Sequence, residues 1–146
     1  MQTGRLLTIG YGNKSHIEIF SWLQRNSTQI LVDVRTKPYS QFRPEFNRNK
    51  LLVSLPAIGI EYVYKGEALG GLSLNEKEQQ ETLYQQGIDF LIERLKSGQT
   101  VAIMCCEADV RNCHRYKIAD EIFKRGYIVI HIGKQGELII HEGLLF

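Results

Sequence analysis

The chain reads as a single α/β domain over residues 1–146, a three-layer sandwich on a mostly parallel sheet of five strands with a C-terminal antiparallel edge strand. Three observations lead there. Short β-branched runs alternate with longer amphipathic stretches, the pattern of successive β-α-β units. Runs such as VAIMC are apolar at every position, which suits strands covered on both faces, as in a parallel sheet. No repeat, low-complexity tract or long linker divides the sequence.

The elements follow in order. Strands are expected at Leu6–Ile9, Ile30–Val34, Glu61–Tyr64, Val101–Cys105 and Tyr127–Ile132. Ser15 is placed to cap a helix that buries Ile19, Phe20 and Leu23 and ends near Arg25-Asn26-Ser27. A second helix starts around Asn47, carries Leu51, Leu52 and Leu55 on one face, and stops at Pro56 and Gly59. Asn75 to Lys96 is the longest amphipathic stretch, with Leu83, Phe90, Leu91 and Leu95 inward; Gly87 weakens it enough that two shorter helices are the alternative. The last helix runs from Cys113 to Arg125, with Ile118, Ala119, Ile122 and Phe123 as its stripe and Gly126 as its cap. Gly133 to Gly136 then separates two apolar runs, a hairpin signature that supplies the antiparallel edge.

Composition narrows the function classes. With 43% apolar and 23% charged residues the chain can bury a core of its own. The net charge is +2 and no long run carries one sign, so bulk electrostatics does not nominate nucleic acid as a partner. The opening MQTGRLLTIGYG lacks the features of a secretory signal, and no stretch approaches the roughly 18 apolar residues of a membrane span. A cytoplasmic location without membrane contact is therefore expected. Cys105, Cys106 and Cys113 are bunched in one segment, which suits free thiols in a reducing compartment better than a disulfide framework.

In an open parallel sheet, ligands bind outside the carboxyl ends of the strands, where loops and helix N-termini gather. After the first strand, Gly10-Tyr11-Gly12-Asn13 is either a plain tight turn or a loop in which Tyr11 and Asn13 touch a ligand. After the second come Asp33 and Arg35 on one side of the chain, then a long loop with Pro38, Tyr39, Phe42, Arg43 and Pro44. Asp33 and Arg35 form a structural ion pair on one reading; on the other, Arg35 and Arg43 clamp a phosphate or carboxylate. Glu67 to Gly71, after the third strand, reads as a turn. The fourth strand delivers Cys105, Cys106, Glu107, Asp109, Arg111, Asn112, Cys113, His114 and Arg115 to one strand end and helix start. A thiol there, at Cys105 or Cys113, is favoured as thiolate; Glu107 and His114 suit proton transfer, and Arg115 suits an anion. The competing reading is that the cysteines are small buried hydrophobes. Cys105 to Arg111 also has the Cys-x5-Arg spacing of a phosphate-cradling loop.

Zinc on Cys105, Cys113 and His114 is disfavoured, because adjacent Cys-His positions on a helix diverge and no second Cys-x2-Cys pair exists. No metal and no cofactor is expected. Of the remaining histidines only His131, at the end of the fifth strand, faces the same rim; His16 and His141 are assigned to a surface helix start and the edge hairpin.

Taken together, TIGYGNKS, DVRTKPYSQFRPEFN, LGG and CCEADVRNCHR resemble the bacterial and archaeal family known as domain of unknown function 488, from Thr8 to about His131. The family's closing pattern, roughly Cys-small-Glu, a short acidic stretch and Cys-His-Arg, fits Cys105, Glu107, Cys113, His114 and Arg115. Asp33, Arg35, Pro38, Pro44 and Phe46 fit its second block. The chain departs from it at Tyr11-Gly12-Asn13, where many members resemble His-Ser-Asn, and at Val110, where they have proline. The resemblance implies fold and site position rather than a reaction, and Arg111 falls outside the family's pattern.

Three function classes remain. The first is an enzyme for a phosphorylated, nucleotide-like or nucleic-acid substrate, with Cys105, Glu107, His114 and Asp33 catalytic and Arg35, Arg43, Arg115, Tyr11, Asn13 and Cys113 at the substrate. The second is a module that binds a nucleotide or nucleic acid without turnover. The third is thiol-based sulfur or phosphate chemistry of the rhodanese or phosphatase kind. The partner is thus an anionic small molecule or nucleic acid, and nothing in the sequence sets an oligomeric state.

Overall fold

The computed structural model describes residues 3–70, 77–109 and 114–142. Six strands form one sheet: β1 (Arg5–Gly10), β2 (Ile30–Asp33), β3 (Glu61–Tyr64), β4 (Thr100–Cys105), β5 (Ile128–Ile132) and β6 (Leu138–Ile140). Their order is β3-β2-β4-β1-β5-β6. The first five run parallel, and β6 returns antiparallel on β5. Five parallel strands with an antiparallel edge are the architecture expected from the alternating pattern.

Side-chain alternation assigns the two faces. Leu7, Ile9, Leu31, Ala102 and Met104 share a core with α1 (His16–Arg25) and α2 (Arg48–Ser54). The intervening Leu6, Ile30, Val32, Val101, Ile103 and Val129 pack with α3 (Gly66–Leu69), α4 (Lys77–Lys96) and α5 (Arg115–Lys124). Because helices cover both faces, the central strands carry apolar residues at consecutive positions instead of alternating with polar ones. Ser15 caps α1 as its position predicts, its hydroxyl accepting from the Glu18 amide.

The inward stripes of α2 and α4 and the turn after β3 differ from expectation, while α4 is the single helix rather than the two-helix alternative. Leu52 is 50% exposed and Leu83 40% exposed. The buried row of α2 is Leu51 followed by Leu55 one turn on, and α4 turns Ile88, Leu91 and Leu95 inward instead. Gly87 does not break α4: a Cβ there would lie 2.7 Å from Leu69 and 3.2 Å from Ala68, so its small size admits α3. That short helix, Gly66–Leu69, overlaps the Glu67–Gly71 stretch expected to be only a turn. The predicted start of the last helix, Cys113, lies outside the described residues.

The topology leaves β1 between β4 and β5, with Gly10 opposite Cys105 and Thr8 opposite His131. The loops that follow β1, β2 and β4 therefore meet at one rim. Among the described residues no helix is long and apolar enough to cross a membrane.

Candidate functional site

The rim is closed by backbone. The Tyr11 amide donates to the Cys105 carbonyl at 3.2 Å and the Gly12 amide to Cys106 at 2.9 Å, which fastens the first loop to the fourth. The 106–109 loop folds down over the end of β1, and only glycine fits there. A Cβ on Gly10 would lie 1.8 Å from the Glu107 carbonyl oxygen and 2.9 Å from Nη2 of Arg115. Gly10→Ala is therefore expected to lift this loop and cost about 1–3 kcal/mol, the usual penalty of overpacking. Urea denaturation checks it, and an unchanged midpoint would show that the loop is not seated as described.

On the α1/α2 face, Asp33 and Arg35 hold each other. Asp33 is fully buried; its Oδ1 accepts from Nε (2.8 Å) and the amide (3.1 Å) of Arg35, and Oδ2 accepts from Nη2 (2.7 Å). The Tyr62 hydroxyl donates to the same Oδ2 at 2.6 Å. Arg35 also donates to the Phe46 carbonyl at 2.7 Å and to the Tyr11 hydroxyl at 3.2 Å. Burial works against the Arg35 charge, but the Asp33 carboxylate outweighs it and raises the guanidinium above its ordinary value. Burial and the same carboxylate also push the Tyr62 hydroxyl up. Tyr11 stacks on Phe46 with ring centroids 4.0 Å apart. This cluster, the structural ion pair of the sequence reading, pins the 34–46 loop beneath the rim.

Arg43 latches that loop to the first one. Its Nη1 donates to the Gly12 carbonyl at 3.0 Å, Nη2 donates to the Lys14 carbonyl, and Nε pairs with Glu45 at 3.0 Å. Asn13, beside it, is exposed, and so are Tyr39 and Phe42.

The end of β4 and the loop after it carry the cysteines and the acidic group of the rim, with His114 at the start of α5. Cys105 is buried and disulfide-bonded, against the expectation of three free thiols, so any nucleophilic role for it belongs to the reduced state. Cys106 is an exposed free thiol. Glu107 is exposed, and its carboxylate accepts the Asp109 amide at 3.2 Å. His114 is half-buried, with Nε2 2.7 Å from the Val34 carbonyl. A carbonyl only accepts, so Nε2 carries the hydrogen. Burial chiefly, and Arg115 next to it, lower the His114 pKa from its ordinary value despite that hydrogen bond, which keeps the ring neutral at pH 7. Cys113 lies outside the described residues.

Arg115 is the unusual member. It is wholly buried (0% exposed), donating from Nη1 to Thr8 Oγ1 at 3.1 Å and from Nη2 to the carbonyls of Glu107 and Ala108 at 3.0 Å each. Its Nε has no partner, and among the described residues no carboxylate pairs with it. Burial pulls its pKa down to about 10, partly offset by the more distant Asp109 and Glu107. Arg115 is thus a buried cation with no paired carboxylate among the described residues, with Glu107 and Asp109 acting on it from the same loop.

The end of β4 and the start of α5 thus gather Cys105, Glu107, His114 and Arg115, with Arg43 bracing the first loop and the Tyr11 side chain turned into the Arg35 cluster. Asp33 and Arg35 lie in the buried cluster on the α1/α2 face instead. Four residues were overlooked by the sequence reading: Thr8, Tyr116, Asp120 and His141. His141, assigned to the edge hairpin surface, is only 3% exposed. It joins His131, Thr8 and Asp120 in a buried hydrogen-bonded row on the α5 side, with Tyr116 stacked on the His131 ring. A polar Thr8 within the apolar run of β1 was the one signal for it. Beside that row a cavity of about 500 Å³ opens between Ala108, Tyr116 and the β5–β6 hairpin.

No curated protein and no solved structure matches the chain. The family model described as Domain of unknown function DUF488 matches residues 16–122, which take in the Asp33–Arg35 pair, the 106–109 loop and most of α5. The chain belongs to that family.

Proposed function

We propose that this rim binds the anionic group of a small molecule, a nucleotide or a nucleic-acid end, and that the protein acts on that ligand as an enzyme. The observation that carries the reading is Arg115, a buried guanidinium with an unpartnered Nε and no paired carboxylate among the described residues, under the loop that opens α5. A charge buried without a counter-ion costs several kcal/mol on the order-of-magnitude scale of ion desolvation, and an incoming phosphate or carboxylate offsets that cost. The amides around the start of α5 add to the pull. Glu107, exposed at the rim, suits general acid or base work, and His114, kept neutral and oriented by the Val34 carbonyl, suits a base. Asp33, Arg35 and Arg43 serve by holding the neighbouring loops, and Tyr11 and Asn13 border the ligand from the first loop.

Inorganic phosphate is the probe. Titrated calorimetrically, it is expected to bind saturably, and Arg115→Lys, which keeps the charge but loses the planar fork, is expected to weaken binding about tenfold or more. Absence of saturable binding, or equal affinity in the variant, contradicts the reading. If Glu107→Gln and Cys105→Ser both bind phosphate as the wild type does and leave the protein's activity unaltered, a binding module without turnover replaces the enzyme.

A second reading is favoured by one observation: Cys105 is disulfide-bonded while its neighbour Cys106 presents an exposed thiol. Thiol–disulfide chemistry at this loop predicts a rim thiol of low pKa after reduction, which titration of thiol reactivity against pH detects.

A further inference from the structure

The buried row behind Arg115 has a definite direction. Arg115 Nη1 donates to Thr8 Oγ1 at 3.1 Å, and that oxygen lies 2.7 Å from His131 Nδ1. His131 Nε2 is 2.8 Å from His141 Nδ1, and His141 Nε2 is 3.0 Å from Asp120 Oδ1. Asp120 Oδ2 meets the exposed Lys124 at 3.0 Å. The residues come from β1, β5, α5 and the position just after β6, so the arrangement exists only in the folded sheet.

The ends of the row fix where its protons are. Arginine only donates and an ionised carboxylate only accepts. With both imidazoles neutral, one pattern satisfies every group: Thr8 donates to His131 Nδ1, His131 Nε2–H to His141, and His141 Nε2–H to Asp120. In the opposite pattern Thr8 receives from both Arg115 and His131, and its own proton has no place in the row. Ionised Asp120 therefore selects the first pattern. We propose that Thr8, His131, His141 and Asp120 are positioning residues that fix the Arg115 guanidinium beneath the rim loop through this one-directional relay. Its purpose rests on the anion-binding reading above; its existence does not.

The relay, together with the Glu107 and Ala108 carbonyls, anchors a buried arginine that has no paired carboxylate among the described residues. Its counter-charge stands at the far end of three side chains; on the rim side Nη2 is held by the Glu107 and Ala108 carbonyls, and Nε is the donor left for a ligand once that loop gives way. The ring nitrogens of both histidines are engaged within the row, so neither histidine has a lone pair left to act as a base on a ligand. Tyr116 packs against both imidazoles and Phe123 against His141, which limits ring rotation. The charged groups facing the pair are Arg115 at one end and Asp120 with Lys124 at the other; Asp109, Lys134, Glu137 and Glu142 border the adjoining cavity.

Nitrogen-15 NMR of the histidine rings tests this on the wild-type protein, without any substitution. At pH 7 both rings are expected to show a bare Nδ1 and a protonated Nε2. Asp120→Asn removes the charge that selects the pattern; mixed ring tautomers, faster exchange of the Arg115 Nε proton and about threefold or greater loss of phosphate affinity are expected. Lys124→Ala, which touches Asp120 only from outside, is expected to change none of these. A protonated Nδ1 on His131 in the wild type, or ring and Arg115 signals unmoved by Asp120→Asn, overturns the relay whatever phosphate does. Ring and Arg115 signals that respond as stated, in a protein that never binds phosphate, support the relay and overturn the anion-binding reading instead.

Discussion

Asp33→Asn is expected to destabilise the fold by about 3–5 kcal/mol, because it leaves Arg35 charged and buried without its counter-ion. The neutral amide cannot reproduce the two-oxygen grip on the guanidinium, and its NH2 faces either the Arg35 donors or the Tyr62 hydroxyl. Tyr62→Phe, which deletes one hydrogen bond from the same carboxylate, is expected to cost only about 1 kcal/mol. Chemical denaturation of the two variants separates them, and a loss under about 1 kcal/mol for Asp33→Asn would mean that the pair is not the anchor of the 34–46 loop. Replacing both Asp33 and Arg35 by apolar residues is expected to cost less than the sum of the single changes, since no unpaired charge remains.

Acid should weaken the protein well before its carboxylates titrate. Burial chiefly, with His141 and Arg115 adding to it, lowers the His131 pKa to about 4 from 6.5. The folded state thus keeps this ring neutral while the unfolded chain takes up a proton below pH 6.5. Stability is complete above that value, falls as pH drops from 6.5, and levels off below about 4, a total of about 3 kcal/mol from this group. His114, also lowered, acts in the same direction. Urea midpoints measured from pH 7 to pH 4 should therefore slope downward, and His131→Gln should flatten the slope to the part left by His114. A His131→Gln variant with the wild-type slope would place the acid sensitivity elsewhere.

Much of the fold is legible in the residues, and the reasons are local. VAIMC and the IVI of β5 carry apolar residues consecutively because helices cover both sheet faces, and Gly133 to Gly136 turns the chain where the apolar pattern breaks. The Asp33–Arg35 pair is visible too, since residues two apart on an extended chain share a side. Where local pattern failed, tertiary packing decided. Leu52 lies next to Leu51 and reads as part of the same stripe, but α2 is too short to bury more than the Leu51 and Leu55 row. Gly87 reads as a weak point that leaves one helix or two open, and α3 packed against it shows why a glycine stands in one continuous helix. Arg115 could be assigned to a first helical turn, yet nothing in CHRYK says that its guanidinium turns inward under Glu107. His141 was out of reach of any local reading, because its burial follows from the hairpin register that returns it beside His131 and from the placement of Asp120 on α5.

Anion binding at this rim requires Arg115 at its base. Its most direct test is to follow backbone amides and the Arg115 Nε–H by NMR while inorganic phosphate is added. The expected shifts fall on Tyr11 to Asn13, Cys106 to Asp109 and the Arg115 side chain, and they vanish in Arg115→Lys. Shifts scattered over surface lysines, or unchanged by Arg115→Lys, would contradict it.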